Sequence, residues 1–286
     1  MHTAEQIVAS SVQLVSLPAV FNAVKKVVDD PDTTPMDLSR VISADPAMTA
    51  RVLKLINSAF WGFSRQIDSL SRAVSLLGML QVHDMVLSTA VVETFDRMRP
   101  QQMDVARFWR GSVFRGLAAT ALARKGKLVD LGRVFTEGLL SDLGHMVLYT
   151  KLPELTMQAA ECAAGQPWEL VRFEQECMGC DYTQVGGALA DAWRLPACFG
   201  AAIRHQDNPQ GAGGFALEAA LLHVAGRLAA LPAQEPARSA QVARIVPFAW
   251  EKIGLAVHCV PEILAEVDGE LQATARMFGV PMGSAA

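Results

Sequence analysis

Residues 45–60, Asp45-Pro46-Ala47-Met48-Thr49-Ala50-Arg51-Val52-Leu53-Lys54-Leu55-Ile56-Asn57-Ser58-Ala59-Phe60, decide the fold class of this chain. Met48, Val52, Leu55 and Ile56 recur at helical spacing and make one apolar stripe, with Arg51 and Lys54 on the other side. Asp45 can accept the orphan amides at a helix start, and Pro46 fits the first turn, where its missing N–H costs nothing. Asn57 tolerates the left-handed conformation that closes a helix. The stretch predicts a short capped helix, and Asp45, Asn57 and Ser58 read first as structural residues.

The same punctuation extends in both directions. Upstream, Pro18 begins an apolar run, Val20, Val24, Val27 and Val28, that stops at Asp29-Asp30-Pro31. Thr34-Pro35 opens the next helix, with Asp37 three residues after the cap and Leu38, Val41 and Ile42 on its buried face. Downstream, helical segments are expected over 69–77 and 82–95, separated by Gly78. Pro100 with Gln101-Gln102 marks a boundary. A second series follows over 105–124, 133–140, 143–151 (stopped by Pro153), 168–177, 182–193 and 197–205, with Asp181 and Gln184 as a cap-like pair. Residues 208–214, rich in glycine, are the expected mobile loop. Helix resumes over 215–231, and the stretch 232–238 leads to a last pair ending near Phe278. There is no strand alternation and no repeat of fixed period. The prediction is all-α, with two packed helical subdomains: an amino-terminal bundle over 1–99, a second bundle over 100–231, and closing helices over 232–286.

Composition agrees. Half of the 286 residues are hydrophobic but only 7% aromatic, and the apolar mass is mainly Ala, Leu and Val, which favours helices over sheets. The most apolar stretch, 215–233, is interrupted by Glu218, His223 and Arg227, so no membrane span is expected. Glu5 stands where a signal peptide would need its apolar region, so a cytoplasmic location is expected. With 25 basic against 29 acidic residues and no dense basic stripe, the charge argues against nucleic-acid binding. Five scattered cysteines suggest a reducing compartment. Cys177 and Cys180 form a C-x-x-C, but no second ligand pair or preceding strand accompanies it, so it reads as two thiols at a helix end.

Two stretches carry a family resemblance. The Asp-Pro start of 45–60, its Leu-rich helix and its Asn-Ser-Ala end, followed by Ile67 and then Ala73-Val74-Ser75-Leu76-Leu77-Gly78, resemble the signature of the HD-related output domain (HDOD) family of bacterial signalling proteins. Gly138-Leu139-Leu140-Ser141-Asp142-Leu143-Gly144 resembles the Gly-Leu-Leu-His-Asp-Ile-Gly core of HD hydrolases. Val185-Gly186-Gly187-Ala188, Trp193-Arg194-Leu195-Pro196 and Ala202-Ile203-Arg204-His205 also fit, and the resemblance covers about residues 10–280. It implies a second bundle built like the HD phosphohydrolase domain.

In HD hydrolases a His, a His-Asp pair and a distant Asp converge on a divalent metal that makes a bound water nucleophilic towards phosphate esters. Aligned by motif, the first His falls at Gly111, the His of the pair at Ser141 and the distant Asp at Gly226; Asp142 alone keeps a usable ligand. An accessory His corresponds to Tyr182, and of a His-His pair His205 remains, followed by Gln206. Catalytic metal sites ordinarily use about three protein ligands. The resemblance therefore implies no hydrolase activity and a regulatory or output role in bacterial signalling; the chain is expected to need no cofactor and to bind a protein partner or to receive and pass on a signal.

Three readings stand beside that one. Asp142, His145, His205 and His223 are four ligand-type residues that would have to converge to rebuild a displaced metal site; the plainer reading of Asp142 is a cap before Gly144. A rebuilt site would make the chain a metal-dependent phosphohydrolase or cyclic-nucleotide phosphodiesterase. A metal-free nucleotide sensor would keep the old cleft, with Asp142, Tyr182, His205 and Arg110 as polar contacts. Finally, Phe60, Trp61 and Phe63 cannot all face one core stripe on a short helix, so Trp61 and Phe63 are candidates either for packing between the halves or for partner contact.

Overall fold

The computed structural model describes residues 1–286 apart from 12–14, 59–60, 62, 64, 129, 232–236 and 281–286. The chain is 75% helical with no strand among the described residues, so the all-α prediction holds. The first half comprises α1 (Ala4–Ala9), α2 (Ala19–Asp29), α3 (Pro35–Ser43), α4 (Pro46–Ile56), α5 (Leu70–Leu77) and α6 (Met79–Asp96). The second begins with α7 (Val105–Lys125), α8 (Leu131–Leu140), α9 (Leu143–Lys151) and α10 (Pro153–Cys162). It continues through α11 (Pro167–Met178), α12 (Tyr182–Ala192) and α13 (Ala197–Arg204). A 3-10 helix, Pro209–Phe215, leads to α14 (Ala216–Ala229), and α15 (Ala237–Val242), α16 (Pro247–Ile253) and α17 (Val260–Met277) follow. No single helix among the described residues is long and apolar enough to cross a membrane.

The local caps form as their residues dictate. Asp45 accepts from the Met48 amide at 3.0 Å, and Thr34 with Asp37 and Asp181 with Gln184 close reciprocal capping boxes. The end of α4 differs from expectation. Asn57 has φ −83° and ψ 10°, which is not left-handed. Its side chain instead reaches a residue ten positions on: Oδ1 accepts from the Ile67 amide at 2.7 Å, while Nδ2 donates to the Ile67 carbonyl at 2.7 Å and to Leu53 at 2.8 Å. Both main-chain groups of Ile67 are thereby paired where no secondary structure would pair them.

Three helices go beyond those expected: α1, α10, and one of α15, α16 and α17, which stand where a last pair is expected. In the second case Pro153 occupies the first turn of a new helix as well as stopping the old one. The glycine-rich 208–214 stretch is a 3-10 helix with Pro209 and Ala212 buried, rather than an open loop. Cys177 and Cys180 are unpaired thiols at the end of α11; burial pushes Cys180 up to about 11. The expected linker over 232–238 lies largely outside the described residues.

One connected apolar core runs from Ala4 to Val280, with Phe21, Phe95, Trp109 and Phe199 among its fully buried side chains. α1 packs on α9 and α12, in the second half. Its flanks are tied there too, by His2 N–H to the Met178 carbonyl at 2.7 Å and Trp193 Nε1–H to the Val15 carbonyl at 2.9 Å. The two halves meet where α6 packs on α8. Here Ser88 and Thr136 hydroxyls share a hydrogen bond of 2.9 Å, and Glu137 is 1% exposed. Arg133 Nε stands 4.0 Å from Glu137, near enough for an ion pair, yet burial dominates. Desolvation first, then the charges of Glu218 and Asp84, push the Glu137 carboxyl up to about 8 against the pull of Arg133.

A contact of backbone on backbone joins α7 to α8. A Cβ placed on Gly138 would lie 2.7 Å from the Gly116 Cα and 2.7 Å from the Arg115 carbonyl oxygen, so the two backbones touch. Gly138→Ala is expected to cost about 2–3 kcal/mol, because backbone must move to admit the methyl; chemical denaturation measures it. For Glu137, a raised folded pKa means stability fully present below about pH 4.5 and lost as pH rises through about 8. Glu137→Gln is expected to remove that loss, leaving the variant more stable than the parent at pH 8 by an amount on the order of a few kcal/mol. Unfolding titrations at pH 5 and pH 8 give the comparison.

Candidate functional site

The Gly116–Gly138 contact aims two charged side chains at one another. Arg115 precedes Gly116 on α7, and Asp142 follows the end of α8. Arg115 Nη2 lies 2.7 Å from Asp142 Oδ2, with the side chains only 15% and 13% exposed. Asp142 does stand at the N-cap position of α9, but its side chain makes no cap hydrogen bond. The capping role expected for it is therefore corrected: its carboxylate is held by an arginine from another helix. A Cβ at Gly226 on α14 would sit 2.8 Å from Arg115 Nη1, so the guanidinium reaches the space beside that glycine. Gly111, one turn before Arg115 on the same face of α7, leaves open space where its side chain would be. The Ser141 hydroxyl donates to the Gly138 carbonyl at 2.8 Å, and its own carbonyl accepts from Gln206 Nε2 at 2.8 Å.

Beside this pair runs a second one. Glu174 is fully buried; its Oε2 accepts from the Tyr182 amide at 2.8 Å and its Oε1 lies 3.5 Å from His145 Nδ1. The Tyr182 ring stacks on His145 with centroids 3.9 Å apart. Burial opposes a charged His145, but the hydrogen bond and charge of Glu174, with Asp142 adding to them, raise its pKa above the usual histidine value. Burial pushes the Tyr182 phenol upward, so it stays protonated.

His223 behaves differently. Its Nδ1–H donates to the Gln206 carbonyl at 2.8 Å and its Nε2 accepts from the Val246 amide at 3.3 Å. Desolvation, with Arg227 nearby, lowers its pKa to about 4. Both ring nitrogens are spent on main chain and the ring is neutral. Arg227 pairs with Asp207 at 2.6 Å. Arg115, Tyr182, Gln206, Asp207, His223 and Gly226 line a cavity of about 40 Å³, room for a few waters and far short of a nucleotide.

The structure thus brings Asp142 and Tyr182 to the cleft but not the other two residues expected there. Arg110 is exposed, because it lies about 100° round α7 from the Gly111–Arg115 stripe; Arg115 is the arginine that reaches in. The helical phase of α7 could have found it. The His205 ring lies against Gly211, and its neighbour Gln206 lines the cavity instead. Asp142, His145, His205 and His223 do not converge, and no group of three His, Cys, Asp or Glu is placed to hold a metal among the described residues. The donor set does not suit the divalent ion of an HD hydrolase: of the four positions aligned with its ligands only Asp142 offers a carboxylate, and a guanidinium already rests on it. Trp61 packs over Gly132 at the start of α8, its Cη2 2.9 Å from where a Cβ would stand, so it bridges the halves. Phe63 is 36% exposed, and Phe60 lies outside the described residues.

A helical bundle with an HD-type cleft closed by an internal ion pair defines the class, an HD-like domain. The chain belongs to the HDOD family, whose domain profile matches residues 14–209. A crystal structure named "Putative phosphohydrolase", from Shewanella amazonensis SB2B, is similar at 24% identity and TM-score 0.74, over 97% of this chain and 99% of that one. An HDOD domain protein of unknown function from Geobacter sulfurreducens is similar at 18% identity and TM-score 0.72, over 94% and 99%. These likenesses establish the fold. An uncharacterized protein of Treponema pallidum (strain Nichols) is 26% identical over 196 residues, 67% of this chain; the chain spans 37% of that relative's length.

A raised folded pKa gives His145 a stability contribution that is fully present below about pH 6.5 and lost as pH rises through its higher folded value. His145→Gln is expected to destabilise most at pH 5.5–6.5, with the gap to the parent narrowing as pH rises. Melting curves of both proteins from pH 5.5 to about pH 9 measure it. A gap that does not depend on pH would show that His145 contributes no charge.

Proposed function

We propose that this chain is a non-catalytic signalling module that acts in a bacterial cytoplasm by binding a protein partner. The observation that carries the reading is the Arg115–Asp142 pair. Hydrolysis in an HD cleft depends on a metal that lowers the pKa of bound water to near neutrality. A guanidinium has no lone pair to offer a metal and repels one, and Gly111 and Gly226 offer no ligand. Ser141, the remaining position, already donates its hydroxyl proton to the main chain.

The rival is a metal-dependent phosphohydrolase or phosphodiesterase, in keeping with the name of the Shewanella relative. A nucleotide sensor is less favoured, because a cavity of about 40 Å³ does not admit a nucleotide. Apolar side chains left exposed on the amino-terminal half, Phe63, Leu76 and Leu80, support a protein partner instead.

Bis(4-nitrophenyl) phosphate and 4-nitrophenyl phosphate serve as generic substrates, offered with Mn2+, Mg2+ or Zn2+. Release of nitrophenol is expected to match the protein-free control with each metal. Metal-dependent turnover that disappears in Asp142→Ala would overturn the proposal in favour of the hydrolase.

A further inference from the structure

The geometry points to Arg115 as a built-in cation that takes the electrostatic place of the metal in this cleft, neutralising Asp142 and occupying space that Gly226 leaves free. Asp142 is largely buried, makes no cap hydrogen bond, and leaves Oδ1 without a partner. A carboxylate so placed needs a cation. The nearby buried carboxylate, Glu174, has its own partners in His145 and the Tyr182 amide. Asp207 has Arg227. Arg115 is therefore the charge assigned to Asp142.

Three features make the exchange specific. The Arg115 carbonyl lies in the backbone contact with Gly138, which fixes where its side chain starts. The planar guanidinium can face Asp142 with one nitrogen and Gly226 with another. A Cβ at 226 would meet Nη1 at 2.8 Å, so the guanidinium end would have to shift to admit any side chain there, an aspartate included. Both arginines of the cleft already rest on carboxylates, Arg115 on Asp142 and Arg227 on Asp207, while Asp142 Oδ1 and Arg115 Nε are each left without a hydrogen-bond partner. The inference goes beyond the non-catalytic reading: turnover by the parent protein tests that reading, and the behaviour of Arg115 variants tests this one.

The experiment compares thermal midpoints of the full chain in EDTA and across micromolar to millimolar Mn2+. The parent is expected to melt alike in both. Arg115→Met leaves Asp142 uncompensated and is expected to lower the midpoint by roughly 5–10 °C. Arg115→Met with Asp142→Asn removes both charges and is expected to recover more than half of that loss. Arg115→Ala with Gly226→Asp reopens the cleft and supplies a second carboxylate; its midpoint is expected to rise with Mn2+ concentration. A double Met/Asn variant no more stable than Arg115→Met would mean that Arg115 acts by packing, and would overturn the assignment. So would an Ala/Asp variant that neither folds nor gains stability with Mn2+. If Arg115→Met fails to fold, folding of the Met/Asn variant supports the proposal and its failure overturns it.

Discussion

The backbones of α7 and α8 touch at Gly116 and Gly138, and the contents of the cleft follow from that contact. Side chains at either position would hold the helices apart and carry Arg115 away from Asp142. A second close approach sets the opposite wall. A Cβ on Gly144 would fall 1.9 Å from the Tyr182 carbonyl, so only glycine lets α9 pass beneath the start of α12. That passage stacks Tyr182 on His145 and delivers its amide to Glu174. Small residues thus position the large polar ones.

Charge inside the bundle is handled in three ways, and among equally buried carboxylates the nearness of a cation separates the first two. In the cleft, each carboxylate faces a cation at short range: Asp142 with Arg115, Glu174 with His145, Asp207 with Arg227. At the junction of α6 and α8, Glu137 has only a distant arginine and two carboxylates nearby, so protonation replaces pairing. His223 takes a third course, staying neutral and bonding main chain at both nitrogens. The cleft is a set of ion pairs and main-chain hydrogen bonds built from residue types that elsewhere hold metals.

Cap chemistry was legible in the sequence because its partners are local. Asp45, Thr34 and Asp181 each bond an amide within three residues. Misreadings share the opposite cause. Asn57 does end α4, but not in the left-handed conformation, because its side-chain partner Ile67 lies across a loop; Asp142 resembles a cap because its arginine arrives on another helix. Pro153 was read only as a stop, although proline suits a first turn equally well. Arg110 lies beside Gly111 in sequence, but helical phase turns it to solvent and puts Arg115 in the cleft. Family resemblance located the cleft positions; it could not say what had moved into them.

The fit between Gly226 and Arg115 also restricts the mutational routes open to this chain. An aspartate arriving alone at 226 would meet a guanidinium already in place, giving a second salt bridge in place of a metal ligand. Loss of Arg115 alone would strand Asp142. Each single step towards a metal-binding cleft therefore leads to a trap or a loss of stability, and only concerted change escapes both. Positions 115, 142 and 226 are thus coupled, and the effect of a change at one is set by what stands at the other two.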